Sequence, residues 1–388
     1  MTPAARVAAA IAVLDDVLAG EAAEKCLSRW ARGNRYAGSK DRAAVRDHVF
    51  DALRCKRSLA AIGGAMTGRG LMIGHIRSQG IDIGSIFGVG GYCPDALSGQ
   101  ELAAGQSPLS QAEQHDFPDW LWPVWCRDLG AQASAAAQVL QARGPVTLRV
   151  NLRRSSRSDV IQVLARDGIA ATPVGNINCA LQVIENERRI HLSMAFESGL
   201  VEVQDLASQE AVAGLHMRNG SRVLDYCAGG GGKALAIADM FDCKVFAHDI
   251  ATARTADIAP RAARAGVEIA VLETPQIAAN APFDVVFVDA PCSGSGTWRR
   301  APEAKWAFSP NKMSDFNELQ VEVLNNAADF VARDGQLVYA TCSVFEAENN
   351  GVVAAFLGDN SGWALTEAHQ RVPDPLGDGF YHAVLTRK

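Results

Sequence analysis

The chain is 388 residues long, enough for two or three domains. With 48% hydrophobic and 21% charged residues it can build ordinary cores, which argues against wholesale disorder. No apolar run approaches the roughly 20 residues of a membrane-spanning helix. Nine cysteines without a C-x-x-C pair argue against a disulfide framework or zinc ribbon and for a reduced, cytoplasmic protein without metal. A net charge of −6 means that any grip on a polyanion must be local.

Residues 1–115 read as helical. "RVAAAIAVLDDVL", "AEKCLSRWARG" and "DRAAVRDHVFDALRCKRSLAAIGG" carry apolar residues at three-four spacing and end at Gly or Asn punctuation. Asp15 and Asp16 interrupt the first run where a signal-peptide cleavage region should lie, so it is a mature amphipathic helix. Arg29, Arg32, Arg35, Lys40, Arg42, Arg46, Arg54, Lys56 and Arg57 crowd this zone and are candidates for RNA binding, or for solvated helix faces.

A Pro- and Trp-rich junction, "DFPDWLWPVWCRDLG", opens the second zone, residues 116–204. There "PVTLRVNL", "CALQVI" and "GLVEVQ" read as strands around the helix "SRSDVIQVLARDG", making a small α/β, RRM-like domain. The basic run "LRVNLRRSSR" within it is a second candidate for RNA contact.

From residue 205 to 388 strands and helices alternate. "RVLDYC", "CKVFAHD", "VEIAVLE", "FDVVFVDA" and "GQLVYATC" are the strands. "KALAIADMF", "TARTADIAPRAARAG" and "DFNELQVEVLNNAADFVARDG" are the helices between them. Continuously apolar strands in this alternation predict a Rossmann-like α/β domain, a mostly parallel sheet covered on both faces. Its ligands are expected beyond the carboxyl ends of the strands.

Chemistry-bearing residues fall at those ends. Gly229, Gly230, Gly231 and Gly232 lie between a strand and a helix, where a ligand can approach the backbone closely. Asp249 ends the next strand, at the separation at which an acid bonds a ribose. Gly229, Gly231 and Ala234 also satisfy a dinucleotide pattern, so a nicotinamide-dependent oxidoreductase stays open on this loop alone. Ala234 excludes an ATP-type phosphate loop, which needs Ser or Thr after Gly-Lys. Asp225 ahead of the loop would repel a pyrophosphate but suits the cationic S-adenosylmethionine.

Cys292 and Cys342 each follow an apolar strand, and Asp289 precedes the first of them. Carbon 5 of cytosine is a poor nucleophile. A thiolate adding to carbon 6 makes an enamine whose carbon 5 can take a methyl group, and an acid beside ring nitrogen 3 stabilises the developing charge. A second thiol can assist release. The competing reading, cysteine as a small buried hydrophobe, suits Cys243 and Cys227 better than this pair.

The segments "VQDLASQEAV", "LDYCAGGGGK", "DAPCSGSGTWRRAPEAKW", "ATCS" and "DGFYHAVLTRK", in that order, resemble the RNA (cytosine-5) methyltransferases of the Fmu/Sun/nucleolar-protein type. The N-terminal helices resemble the antitermination-factor-like domain of small-subunit ribosomal RNA members. The resemblance implies an S-adenosylmethionine-dependent enzyme acting on RNA, with 16S ribosomal RNA or a small-subunit assembly intermediate as partner; a monomer suits engagement of so large an RNA. It implies Cys342 as the nucleophile, Cys292 as the assistant in release, and Asp289 on the cytosine and the methionine end. The cofactor site would comprise Asp225, Cys227, Ala228, the four glycines, Lys233, Asp249 on the ribose, Glu273 near the adenine, Asp289 and Pro291. Arg299, Arg300 and Lys305 would meet the RNA backbone. The family loop usually reads Ala-Ala-Pro-Gly-Gly-Lys. Glycine in place of its proline costs of order 1 kcal/mol of preorganisation and leaves open a silent RNA-binding or ribosome-assembly factor of the same fold.

Overall fold

The structure, a computed structural model, describes residues 1–388 and divides into two compact units, Met1–Arg143 with Trp298–Ala307, and Gly144–Thr297 with Phe308–Lys388. In the first unit the helices Pro3–Leu18, Ala23–Gly33, Ser39–Arg54, Lys56–Gly63 and Gly68–Ser78 bury Val7, Leu14, Val45, Val49, Leu53 and Leu71 in one core. The expected continuous helix over 41–64 is broken at Cys55, whose φ of −110° and ψ of 34° leave the helical region. Gly74 allows the last two helices to touch, because a Cβ there would lie 2.0 Å from the Leu59 carbonyl oxygen.

The second unit holds two sheets. The smaller is antiparallel, in the order β2-β3-β1-β4, from β1 (Val146–Val150), β2 (Ala170–Pro173), β3 (Ala180–Glu185) and β4 (Val201–Val203). The helix Arg157–Arg166 packs Val160 and Leu164 onto it. The larger sheet comprises β5 (Ser221–Asp225), β6 (Cys243–Ala247), β7 (Ile269–Val271), β8 (Phe283–Asp289), β9 (Val331–Thr341), β10 (Trp363–Arg371) and β11 (Phe380–Arg387). Its order is β10-β11-β9-β8-β5-β6-β7, parallel from β9 through β7, with β11 and β10 added antiparallel. Period-two alternation sends Val223, Val285, Phe287 and Val338 into one core and Leu224, Val286, Val288 and Tyr339 into the other. Both faces are therefore covered.

Two readings change here. The stretch expected to continue the long helix to residue 335 turns instead into β9, since Pro310–Ala328 is helical and the strand starts at Val331. The closing hairpin of β10 and β11 was not expected at all. Order in the sheet reverses between β5 and β8: β6 and β7 lie to one side, β9 to the other. A crevice at the carboxyl ends of β5 and β8 follows from that reversal.

A candidate active site at the carboxyl ends of the central strands

Asp225 is the last residue of β5 and Asp289 the last of β8. Asp225 is buried, and neither of its carboxylate oxygens has a hydrogen-bond partner. Burial, with the Asp289 charge added, lifts its pKa from 3.8 to about 7, against the pull of Lys233. Lys233 stands in the first turn of the helix Gly232–Met240 and donates from Nζ to Asp289 Oδ2 at 2.5 Å. Burial disfavours its ammonium, but Asp289 and Asp225 overcome that penalty and hold its pKa above the ordinary lysine value.

The loop before this helix is shaped by two left-handed glycines, Gly229 at φ +51° and Gly231 at φ +79°. A Cβ on Gly231 would lie 2.8 Å from Ile258 Cγ1, and one on Gly229 would lie 2.9 Å from Arg254 Nη2. Asp249, just beyond β6, organises the loop: Oδ2 accepts from the Gly229 N–H and Oδ1 from the Ala251 N–H, each at 2.9 Å. Arg254 pairs with the same carboxylate at 3.1 Å from a largely exposed side chain. Cys227 is half-buried, and burial pushes its thiol up to about 12, so it stays protonated. Ala228 anchors the turn by accepting from the Gly231 N–H. Glu273 is exposed and caps the helix Thr274–Asn280 beyond β7.

The parallel pairing of β8 and β9, with Asp289 opposite Ala340, brings the two cysteine loops side by side. Cys292 and Cys342 lie with their sulfurs 3.4 Å apart, both half-buried. The contact with Cys342, then burial, raises the Cys292 pKa well above the ordinary thiol value. Pro291 is exposed at the rim. The unpartnered Asp225 and the cradle at Gly229 and Gly231 fit a cationic ligand lying across the loop, and the thiol pair adjoins Asp289 and Lys233. Nucleophilic chemistry next to a bound electrophile is what this arrangement can support.

Two of the three expected RNA contacts are placed differently. Arg299 and Lys305 are buried, at 2% and 1% exposure, and belong to the helical unit; only Arg300 is exposed. Arg54 donates to the Arg299 carbonyl at 2.6 Å. Lys305 Nζ sits over the rings of Phe117 and Trp306, and burial lowers its pKa to about 8 despite Asp116. Neither side chain is open to a phosphate in this arrangement. The run "LRVNLRRSSR" is also largely spent within the fold. Arg149 pairs with Asp239 at 3.4 Å, Arg153 bonds the Asp239 and Phe241 carbonyls, and Arg154 bonds those of Ser198 and Arg264. Among the N-terminal cations, Arg29 is taken by Asp16 and Glu21, Arg46 by Glu24, and Arg57 by Asp119.

Sequence reasoning missed Ser293, Ser343, Gln320, Glu348 and Asn349, which lie beneath the cysteine loops. The signal was faint: Glu346 and Glu348 are equivalent in "FEAENN", yet one is exposed and the other fully buried.

Residues 212–384 match the family described as 16S rRNA methyltransferase RsmB/F, and residues 117–190 match the ferredoxin-like domain of that group. The ribosomal RNA small subunit methyltransferase B of Proteus mirabilis is 30% identical over 295 residues, 73% of this chain and 70% of that protein. Among solved structures, PH0851 superposes with a TM-score of 0.78 at 20% identity, covering all of this chain and 99% of that one. NSun6 from Pyrococcus horikoshii, crystallised with SFG, superposes with a TM-score of 0.62 at 17% identity over 70% of this chain and 98% of that one.

Proposed function

The chain belongs to the RsmB/F family of 16S rRNA methyltransferases, RNA (cytosine-5) methyltransferases of the Fmu/Sun type, and on that premise we propose that it methylates carbon 5 of a cytosine in small-subunit ribosomal RNA. The dinucleotide reading of the glycine loop falls with that membership. One observation carries the proposal: two thiols 3.4 Å apart beside the Lys233–Asp289 pair, at the mouth of the sheet.

S-adenosylmethionine, when bound, supplies an electrophilic methyl group. Asp225 would take its cationic methionine end, since neither carboxylate oxygen is within hydrogen-bonding geometry of a protein donor. The backbone from Cys227 to Lys233 would line that end, with Pro291 at the rim. Asp249 would hold the ribose through the lone pairs left on its oxygens, and Glu273 would face the adenine. The Cys342 thiolate adds to carbon 6 of the flipped base, forming the S–C6 bond and an enamine. Nitrogen 3 takes up a proton from water as carbon 6 is attacked and gives it back when the ring is restored; Asp289, oriented by Lys233, accepts a hydrogen bond from the N–H formed meanwhile. Carbon 5 would take the methyl group that the cofactor supplies, with S-adenosylhomocysteine as leaving group, and its proton would pass to water. The S–C6 bond then breaks and returns the thiolate. Cys292, held protonated, hydrogen-bonds to the departing sulfur and so favours release. A ribosomal RNA substrate would put this work in the cytoplasm.

Methyl transfer from labelled S-adenosylmethionine to protein-free small-subunit rRNA, followed by nucleoside analysis, tests this reading. Labelled 5-methylcytidine is expected from the wild type and not from Cys342→Ala, while Cys292→Ala accumulates a protein–RNA adduct stable to denaturing gels. An adduct from Cys342→Ala instead would exchange the two roles. No label with no cofactor binding would favour the silent-factor alternative, for which the all-glycine loop is the one motivating feature.

A further inference from the structure

Cys292 and Cys342 belong to different loops, and two loops do not hold sulfurs 3.4 Å apart unaided. Beneath them lies Glu348, fully buried at the end of the turn Glu346–Glu348. Its Oε1 accepts from the Ser293 N–H at 2.8 Å and from Gln320 Nε2 at 3.1 Å. Its Oε2 accepts from the Ser343 hydroxyl at 2.5 Å and from the Ser293 hydroxyl. Ser293 follows Cys292 and Ser343 follows Cys342, so one carboxylate ties the residue after each thiol.

The residues before the thiols are held by the same cluster. Gln320, from the helix Pro310–Ala328, also donates to the carbonyl of Pro291 at 2.9 Å. Asn349 accepts from the Thr341 hydroxyl at 2.6 Å and donates to the Ser343 carbonyl at 3.0 Å. Each cysteine is thus bracketed on both sides. No cation pairs with Glu348, although burying a carboxylate is costly and a well-packed neutral residue would avoid the cost. The site requires a group that only accepts: four donors converge on two oxygens, and an amide would turn two donor hydrogens toward them.

We propose that Glu348 is a positioning residue that clamps the two thiol loops and sets the spacing of Cys292 and Cys342. The proposal rests on the methyltransferase reading for its consequence in turnover, but not for the spacing itself. Two measurements on the full-length protein separate these. The first is the rate at which hydrogen peroxide, reduced to water, converts the Cys292 and Cys342 thiols to a disulfide, followed by peptide mapping. The second is methyl transfer to rRNA, with KM and kcat resolved.

Glu348→Ala is expected to slow cross-linking about tenfold, because the effective concentration of one thiol at the other falls. It should lower kcat about 100-fold with little change in KM, as a misplacement near 1 Å does. Glu348→Gln, which keeps one acceptor, should be intermediate on both readouts. Wild-type cross-linking and wild-type kcat in a folded Glu348→Ala protein would overturn the proposal. If Glu348→Ala does not fold, Ser343→Ala and Gln320→Ala each remove one strut, and wild-type rates in both would overturn it equally. Slowed cross-linking in a protein whose wild type methylates no RNA would leave the clamp standing and remove the functional reading.

Discussion

Asp225 shows what a single buried carboxylate costs. A carboxylate with two unpartnered oxygens in a buried site is disfavoured, and its folded pKa of about 7 lies above its ordinary 3.8. Between those values the folded protein binds more protons than the unfolded chain, so this group's contribution to stability falls as pH rises from about 4 to about 7. Asp225→Asn should flatten that part of the pH–melting curve and raise the melting temperature at pH 8. The same substitution should weaken S-adenosylmethionine binding at least tenfold, an interaction of about 1.4 kcal/mol or more. Calorimetry at two pH values checks both. A variant less stable at pH 8, or with unchanged affinity, would mean that Asp225 has a partner other than the ligand. The place of Asp225, at the end of a strand ahead of a glycine run, was legible in the sequence. The burial of Lys305 was not, because a lysine in "RRAPEAKW" looks the same whether it meets phosphate or the Phe117 ring.

At the scale of elements, the glycine loop assigns different work to adjacent residues of identical sequence. Gly231 caps the helix at φ +79° with Ile258 against it, whereas Gly230 lies outside the left-handed region and its would-be Cβ meets only the end of the Arg261 side chain, at 3.3 Å. Gly231→Ala should therefore destabilise by about 2 kcal/mol or more. Gly230→Ala should stay within about 1 kcal/mol of the wild type, since it also removes unfolded-state freedom. Denaturant midpoints at equal m-values compare them, and equal losses at both positions would contradict the loop geometry. The parallel strands were legible because a strand covered on both faces must be apolar throughout. The start of β9 was hidden, since "AADFVARDG" carries helical spacing into a strand that pairs with β8 from Val331 onward. The β10–β11 hairpin was hidden differently: β10, WALTEAHQR, is an edge strand with most residues partly or fully exposed, and little apolar patterning marks it.

Over the whole molecule, cations divide by whether the fold has already used them. Arg32, Arg35 and Lys40 are exposed without ion pairs, beside the 74%-exposed Tyr36, whereas Arg29, Arg46 and Arg57 are paired and Lys305 is buried. If RNA is gripped by the helical unit, replacing Arg32, Arg35 and Lys40 together by alanine should reduce the slope of log K against log salt by up to about 2–3. Lys305→Ala should leave that slope unchanged but destabilise the helical unit by about 3 kcal/mol, because Lys305 is the strongest influence offsetting the buried charge of Asp116. Salt titrations of RNA binding, paired with melting curves, separate the two. A lowered slope in a stable Lys305→Ala protein would restore it as a phosphate contact.

The sequence by itself determined what repeats along the chain or is chemically singular: alternating strands and helices, a glycine run where a strand turns into a helix, and thiols after apolar strands. Those signals are local, and periodicity or residue type suffices to read them. Only the tertiary structure decided which residues far apart share a surrounding. It set Cys292 and Cys342, fifty residues apart, at 3.4 Å, placed Glu348 under both, and gave the segment Trp298–Ala307 to the helical unit. Burial and partnership belong to the packed fold, and no side chain carries a mark of either in the chain.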